Sequence, residues 1–204
     1  MTGVTRHTVV WLVRHGQTQW NRERRYLSRT DLALTDFGQQ RAALLAQRLR
    51  RFHCTLAVTS GLQRTDATAT AALATQTRPV PRHADPRWRE ADHGRWEGLT
   101  YAEASALYPA EARARFADPW NHAPLGGETL HVVQERVRAA WRDLLRRGDG
   151  GKILLVAHAT PLQLVLCDLL GSDPSRYWQY RLDLASFSWI DLYPTAAIVR
   201  TING

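Results

Sequence analysis

The sequence predicts an α/β fold, a three-layer sandwich with a mostly parallel central sheet flanked by helices. Three observations carry the prediction. Short, nearly continuous apolar runs at 8–13, 56–59 and 153–157 read as strands buried on both faces. Between them lie segments whose apolar residues recur at helical spacing. Strands and helices alternate along the chain, the order that builds parallel sheets.

Taken in order, residues 1–7 lead straight into the strand at 8–13. That strand is too short for a signal-peptide core and lacks a small-residue cleavage site. Thr35 is placed to cap a helix in which Ala42, Leu45, Ala46 and Leu49 share a face. The second strand is 56–59. Residues 62–74 are rich in alanine and threonine and end before Arg78-Pro79, which predicts a helix. Short helices at 100–107 and 110–116 are separated by Pro109, and Leu125-Gly126-Gly127 reads as a loop. The strongest amphipathic pattern is 130–147, where Val133, Val137, Ala140, Trp141 and Leu144 align. A turn at 148–151 precedes the third buried strand at 153–157. A buried helix at 162–170 ends at Gly171. Residues 187–192 and 197–202 read as closing strands, a hairpin turned at Tyr193-Pro194-Thr195. The length of 204 residues suits one domain over 1–204, with a helical lid-like insertion at about 100–127.

Composition narrows the function classes. An apolar share of 44% is ordinary for a globular chain. The two cysteines, Cys54 and Cys167, sit in apolar runs and read as buried core thiols, so a reducing compartment is the expectation. No apolar run approaches the roughly 18 residues that span a membrane; the chain is read as cytoplasmic, with no membrane partner. The net charge is +8, and Lys152 is the sole lysine. Arginine presents a planar fork of donors suited to phosphate. The arginines are scattered, without a basic tail or nucleic-acid motif, so they read as a solvated surface and no nucleic-acid partner is expected. No His-x-His or His-Glu-x-x-His occurs, and no metal is expected.

Open α/β sheets bind ligands outside the carboxyl ends of their strands. Arg14-His15-Gly16 follows the first strand, Ser60 and Arg64 follow the second, and His158 follows the third. Any one of these has a bland explanation. Two arginines and two histidines at equivalent topological positions together mark a binding crevice.

The motifs themselves resemble a known family. Leu12-Val13-Arg14-His15-Gly16-Gln17-Thr18-Gln19-Trp20-Asn21 is similar to the signature of the histidine phosphatase superfamily, the phosphoglycerate mutase-like group. Asp31-Leu32-Ala33-Leu34-Thr35-Asp36-Phe37-Gly38, Ser60-Gly61-Leu62-Gln63-Arg64-Thr65, Glu90 to Thr100, Gly126-Gly127-Glu128-Thr129 and Val156-Ala157-His158 follow in the family's order. The resemblance spans roughly 8–192 and implies a phosphoglycerate mutase-like fold. It also implies roles. His15 would be the nucleophile forming a phosphohistidine. Arg14, Arg64 and a charged His158 would surround the phosphoryl oxygens, with Asn21 adding a hydrogen bond. A cation 4 Å from an oxyanion is worth about 4 kcal/mol at an effective dielectric near 20, against about 1 in water. Glu90 would donate the proton to the leaving alcohol and then activate water, while Glu97 reads as structural.

Glu128 reads equally as a helix-start acid or as a partner to a catalytic group. Trp20, Trp88 and Trp96 read as packing residues. Ser28 and Ala159 stand where the family usually has glycine, on the substrate-binding backbone. No cofactor is implied.

The acid loop Trp96-Glu97-Gly98-Leu99-Thr100 resembles the phosphatase branch, which includes α-ribazole phosphatases and broad-specificity phosphatases; no lysine follows it. The expected function is a metal-independent phosphomonoesterase acting on a small phosphorylated metabolite. The alternatives are a cofactor-dependent phosphoglycerate mutase and a non-catalytic phospho-ligand or nucleic-acid binding module. The substrate stays open among α-ribazole 5′-phosphate, phosphoglycerate, sugar phosphates and broad specificity, and so does a homodimer. Arg113, Arg115, Trp120, Asn121 and His122 are candidate specificity residues.

Overall fold

A computed structural model of the chain describes residues 3–204. Six strands form one sheet: β1 (Thr8–Arg14), β2 (Leu56–Thr59), β3 (Arg82–Ala84), β4 (Lys152–Ala157), β5 (Phe187–Leu192) and β6 (Ala197–Thr201). Their order is β3-β2-β4-β1-β5-β6. The first four run parallel, while β5 pairs antiparallel with β1 and β6 antiparallel with β5.

Side-chain alternation separates the core into two layers. Val9, Trp11, Val13, Ala57, Leu154 and Val156 face one cluster, with Leu45 and Leu49 of α2 (Asp36–Leu49) and Ala69 and Ala72 of α3 (Gln63–Ala72). Val10, Leu12, Val58, Ile153 and Leu155 face the other, with α6 (Leu130–Gly148) and α7 (Ala159–Leu170). Helices on both faces make the three-layer sandwich and explain why the central strands are apolar throughout.

Caps place the helices. The Thr35 hydroxyl accepts from the Gly38 amide to start α2, and Thr129 does the same for α6. Gly171, at φ +66°, ends α7 in the left-handed conformation that glycine adopts without strain.

Differences from the sequence reading are local. α7 begins at Ala159 rather than 162, because Pro161 lies in the first turn, where its missing N–H is not needed. The single turn α1 (Gln19–Arg22), the edge strand β3 and 3₁₀ turns at Pro86–Trp88, Gly94–Trp96 and Pro174–Gln179 carry too few residues to show a period. Helices α4 (Tyr101–Leu107) and α5 (Pro109–Ala117) form within the expected insertion, Pro109 opening α5 rather than only interrupting. Cys167 is buried, but Cys54 is only half-buried, its thiol donating to the Leu56 carbonyl at 3.1 Å. Among the described residues no helix is long and apolar enough to cross a membrane.

Candidate active site

Strand register brings the expected residues to one level. Arg14 lies opposite Ala157, and Thr59 opposite Val156. The next residues, His15, His158 and Ser60, therefore leave three adjacent strands side by side. With strands about 4.8 Å apart, the imidazoles of His15 and His158 meet edge to face, ring centroids 5.0 Å apart. His15 is 4% exposed, His158 and Arg64 not at all.

Each side chain is held by a specific partner. His15 Nδ1 lies 2.7 Å from the Gly16 carbonyl. A carbonyl only accepts, so Nδ1 carries the proton and Nε2 keeps its lone pair. Burial and the charges of Arg64 and Arg14 push the His15 pKa well below the usual imidazole range. The ring is thus a neutral base with its lone pair on Nε2. Arg64 donates Nη1 to the Thr30 carbonyl and Nη2 to the Ser28 carbonyl, both at 2.8 Å. Arg14 donates Nη1 to the Leu182 carbonyl at 2.7 Å. His158 Nε2 lies 2.8 Å from Ser60 Oγ, which in turn neighbours Thr65 Oγ1 at 3.1 Å.

Three buried nitrogens here have no hydrogen-bond partner among the described residues: Arg14 Nε, Arg64 Nε and His158 Nδ1. Leaving such groups unpaired costs about 1–3 kcal/mol each. Mutual electrostatic influence ties these three groups and His15 together. Fixed guanidinium donors beside a neutral imidazole form a preorganised anion pocket.

Burial, then the neighbouring His15, Arg64 and Arg14, drive the His158 pKa well below the imidazole range, so the ring is uncharged here. The fixed positive charge comes from the two arginines, whose pKa values are lowered by burial and raised in part by Glu90.

Glu90 is half-buried, its carboxylate accepting from the Ala91 amide at 2.8 Å and the Thr160 amide at 3.2 and 3.3 Å. Its loop is clamped by Arg136, which donates to the carbonyls of Arg87, Arg89 and Glu90 at 2.7–3.0 Å. Glu128 pairs with Arg136 at 2.7 Å and accepts from the Asp92 amide. Its link to Glu90 runs through Arg136, which donates to the Glu90 carbonyl at 3.0 Å. Thr129, not Glu128, caps α6.

Glu97 accepts from the amides of Ser28 and Thr30, each at 3.0 Å, and from the Ser28 hydroxyl. Those donors lower its pKa against the effect of burial. It anchors the segment whose carbonyls hold Arg64. Ser28 thus works through both ends of its backbone. The Asn21 Oδ1 accepts from the Thr18 amide and hydroxyl at 3.0 and 2.9 Å, closing the α1 capping box. Ala159 is the first residue of α7, directly after His158.

Trp88 and Trp96 are buried as expected, and half-buried Trp20 packs on Gly98. Of the candidate specificity residues, Arg115 lines a cleft with Tyr26, Trp96, Tyr177 and Trp178. Asn121 and His122 bond to Asp118, Trp120 packs on His131, and Arg113 lies on exposed α5.

Ser60 and Arg136 were not assigned these roles from the sequence. Glu97 reads as structural from the sequence, but its partners were not foreseen, and an arginine at position 136 looks like a surface charge until its partners are known. Among the described residues no cluster of three or more His, Cys, Asp or Glu side chains is arranged to hold a metal ion.

Comparison with known proteins follows the same lines. Residues 10–204 match the family model of the histidine phosphatase superfamily, branch 1. The chain is 32% identical over 192 residues to phosphoserine phosphatase 1 of Hydrogenobacter thermophilus, covering 94% of this chain and 90% of that protein. It is 28% identical to a 2,3-bisphosphoglycerate-dependent phosphoglycerate mutase of Cytophaga hutchinsonii, covering 95% and 99%. The crystal structure of the α-ribazole phosphatase from Shigella flexneri matches with a TM-score of 0.89 at 28% identity, over 96% of each chain. Mycobacterial relatives 35% identical to the chain are longer, and it spans 54% of their length.

Proposed function

The chain belongs to the histidine phosphatase superfamily, branch 1, and on that basis we propose that it hydrolyses a small phosphoric monoester through a phosphohistidine on His15. The observation that carries the reading is the neutral His15, its Nε2 bearing the lone pair, set beside the unpartnered Nε donors of Arg14 and Arg64 and the unpartnered Nδ1 of His158.

In the first step, the Nε2 lone pair attacks phosphorus and the ester P–O bond breaks toward the leaving oxygen. Glu90, carrying a proton, passes it to that oxygen, so a neutral alcohol departs. Arg14 and Arg64 hold the equatorial oxygens through the loose transition state. The arriving dianion favours the charged form of His158, opposite to the influence of its cationic neighbours. In the second step, Glu90 takes a proton from water, the water oxygen bonds to phosphorus, and the P–N bond returns its pair to Nε2. The Ala159 amide and Asn21 Nδ2 are further donors to the phosphoryl group. We read the helical segment at about 100–127 as a lid over the leaving group.

The arginine-rich surface supports a metabolite rather than nucleic acid as partner. Arg25, Arg87, Arg95, Arg136, Arg138 and Arg200 are each engaged by a carboxylate.

The likeness to a mutase favours one rival reading, transfer to a second substrate instead of water. The absence of lysine after the acid loop speaks for water.

The test is hydrolysis of p-nitrophenyl phosphate in the presence of a chelator, with acid-stable and acid-labile phosphoenzyme separated after rapid quench. The wild type is expected to turn over and to trap an acid-labile phosphohistidine. His15→Ala is expected to lose both, the rate falling at least about 10⁴-fold. Retained activity in His15→Ala would sink the mechanism. Phosphoglycerate interconversion faster than phosphate release would establish the mutase reading.

A further inference from the structure

Beside the phosphoryl pocket, a cleft of about 500 Å³ is lined by Tyr26, Trp96, Phe116, Tyr177, Trp178 and Arg115. Its wall comes from four separate stretches: the loop after α1, the turn at Gly94–Trp96, α5 and the turn at Pro174–Gln179. Phe116 is 56% and Trp178 65% exposed. Single exposed apolar side chains are common, but this group gathers around one concavity. The rings are ordered against each other. Phe116 stacks near Trp96, at 6.1 Å and 22°, and meets Tyr101 edge to face at 5.1 Å.

Arg115 is half-buried and forms no ion pair among the described residues. Arg95, on a neighbouring turn, is held by Glu111 at 2.7 Å. Arg115 lines the same cleft as Tyr177 and lowers the pKa of its hydroxyl against the effect of burial. His93, which also lines the cleft, sits 4.8 Å from the Tyr26 ring. The cleft thus offers aromatic faces and one cation without a counter-charge. The His93 amide donates to the Ser28 hydroxyl at 3.2 Å, and the Ser28 carbonyl holds Arg64 at 2.8 Å, so the cleft adjoins the phosphoryl pocket; His93 also lies three residues after Glu90 in the same loop. Whatever the leaving oxygen is attached to extends into the cleft.

We infer that the alcohol released carries a flat aromatic or heteroaromatic ring and a second anionic group, the ring against Tyr26, Phe116, Tyr177 and Trp178 and the anion on Arg115. The inference rests on the phosphatase reading above. Ring faces favour offset or edge-on aromatic partners, and the guanidinium fork matches a carboxylate through two parallel hydrogen bonds. A leaving group bearing neither feature leaves Arg115 uncompensated and the rings exposed.

The test uses three alkyl esters of similar leaving-group chemistry: 4-carboxybenzyl, benzyl and ethyl phosphate. For the wild type, kcat/KM is expected to fall about tenfold at each step in that order. Arg115→Met is expected to bring the carboxybenzyl-to-benzyl ratio close to one, with Arg115→Lys restoring part of it. Trp178→Ala is expected to shrink the benzyl-to-ethyl ratio. Each ratio is read on one preparation, so a partly unfolded variant does not disturb it. Equal kcat/KM for the three esters overturns the inference, as does an unchanged carboxybenzyl-to-benzyl ratio in Arg115→Met. Failure of the wild type to hydrolyse any of them, or p-nitrophenyl phosphate, overturns the phosphatase reading itself.

Discussion

The phosphoryl pocket and the cleft beside it are built on opposite principles. His15, Arg64 and His158 sit at or just beyond strand ends, sealed from water and each held by a neighbour at 2.7–2.8 Å. The cleft is made from short helices and turns, and its rim residues stand open to solvent. Phosphoryl transfer needs charges fixed in a dry site before the reaction begins. Recognition of the rest of the ester needs only a shape and one charge. On the proposed function, the strand ends would carry the chemistry and the connecting segments the selectivity.

The largest effect should come from the pocket. Arg64→Met is expected to lower kcat on p-nitrophenyl phosphate by roughly 10²–10³-fold and to destabilise the fold, because the Ser28 and Thr30 carbonyls lose their donor. A loss smaller than the one produced by Trp178→Ala on the same ester would erase the distinction between the two regions.

A smaller effect should come from the anchor behind the pocket. Glu97→Gln keeps the shape but removes the charge that gathers the amides of Ser28 and Thr30. We expect about 1–3 kcal/mol of lost stability and about a tenfold loss in kcat, read by denaturant unfolding and steady-state rates. If Glu97 acts through Arg64, the loss disappears in an Arg64→Met background. Additive losses would show that it acts elsewhere.

The smallest effect is one of pH. Folded His15, His158 and His93 all have lowered pKa values, with burial the first cause. In the unfolded chain the same rings take up protons below about 6.5. The unfolded state therefore binds more protons as pH falls, and stability is present above that value and lost below it. Tm should decline by at least about 2–4 °C between pH 7.5 and 5.5. NMR of the free protein should show the His15 ring staying neutral below pH 6.5. A flat Tm together with a His15 titration at its ordinary position would mean that the pocket is wetter than its burial implies.

Much of this molecule was decided by the sequence alone. Strand and helix periods are local properties, so the alternation at 8–13, 56–59 and 153–157 already specified a parallel α/β sandwich. The carboxyl ends of those strands then pointed to His15, Arg64 and His158. Tertiary structure alone decided the rest. Whether His158 is charged depends on burial and on His15, Arg64, Arg14 and Arg136 from other segments. Glu97, already read as structural, found its partner amides, and Arg136 became an anchor, because loops remote in sequence bring them amides and carbonyls. Arg115 was singled out from five candidates because Tyr26, Trp96, Tyr177 and Trp178 meet it from distant parts of the chain. Desolvation and pairing are long-range quantities, and no local pattern in a sequence encodes them.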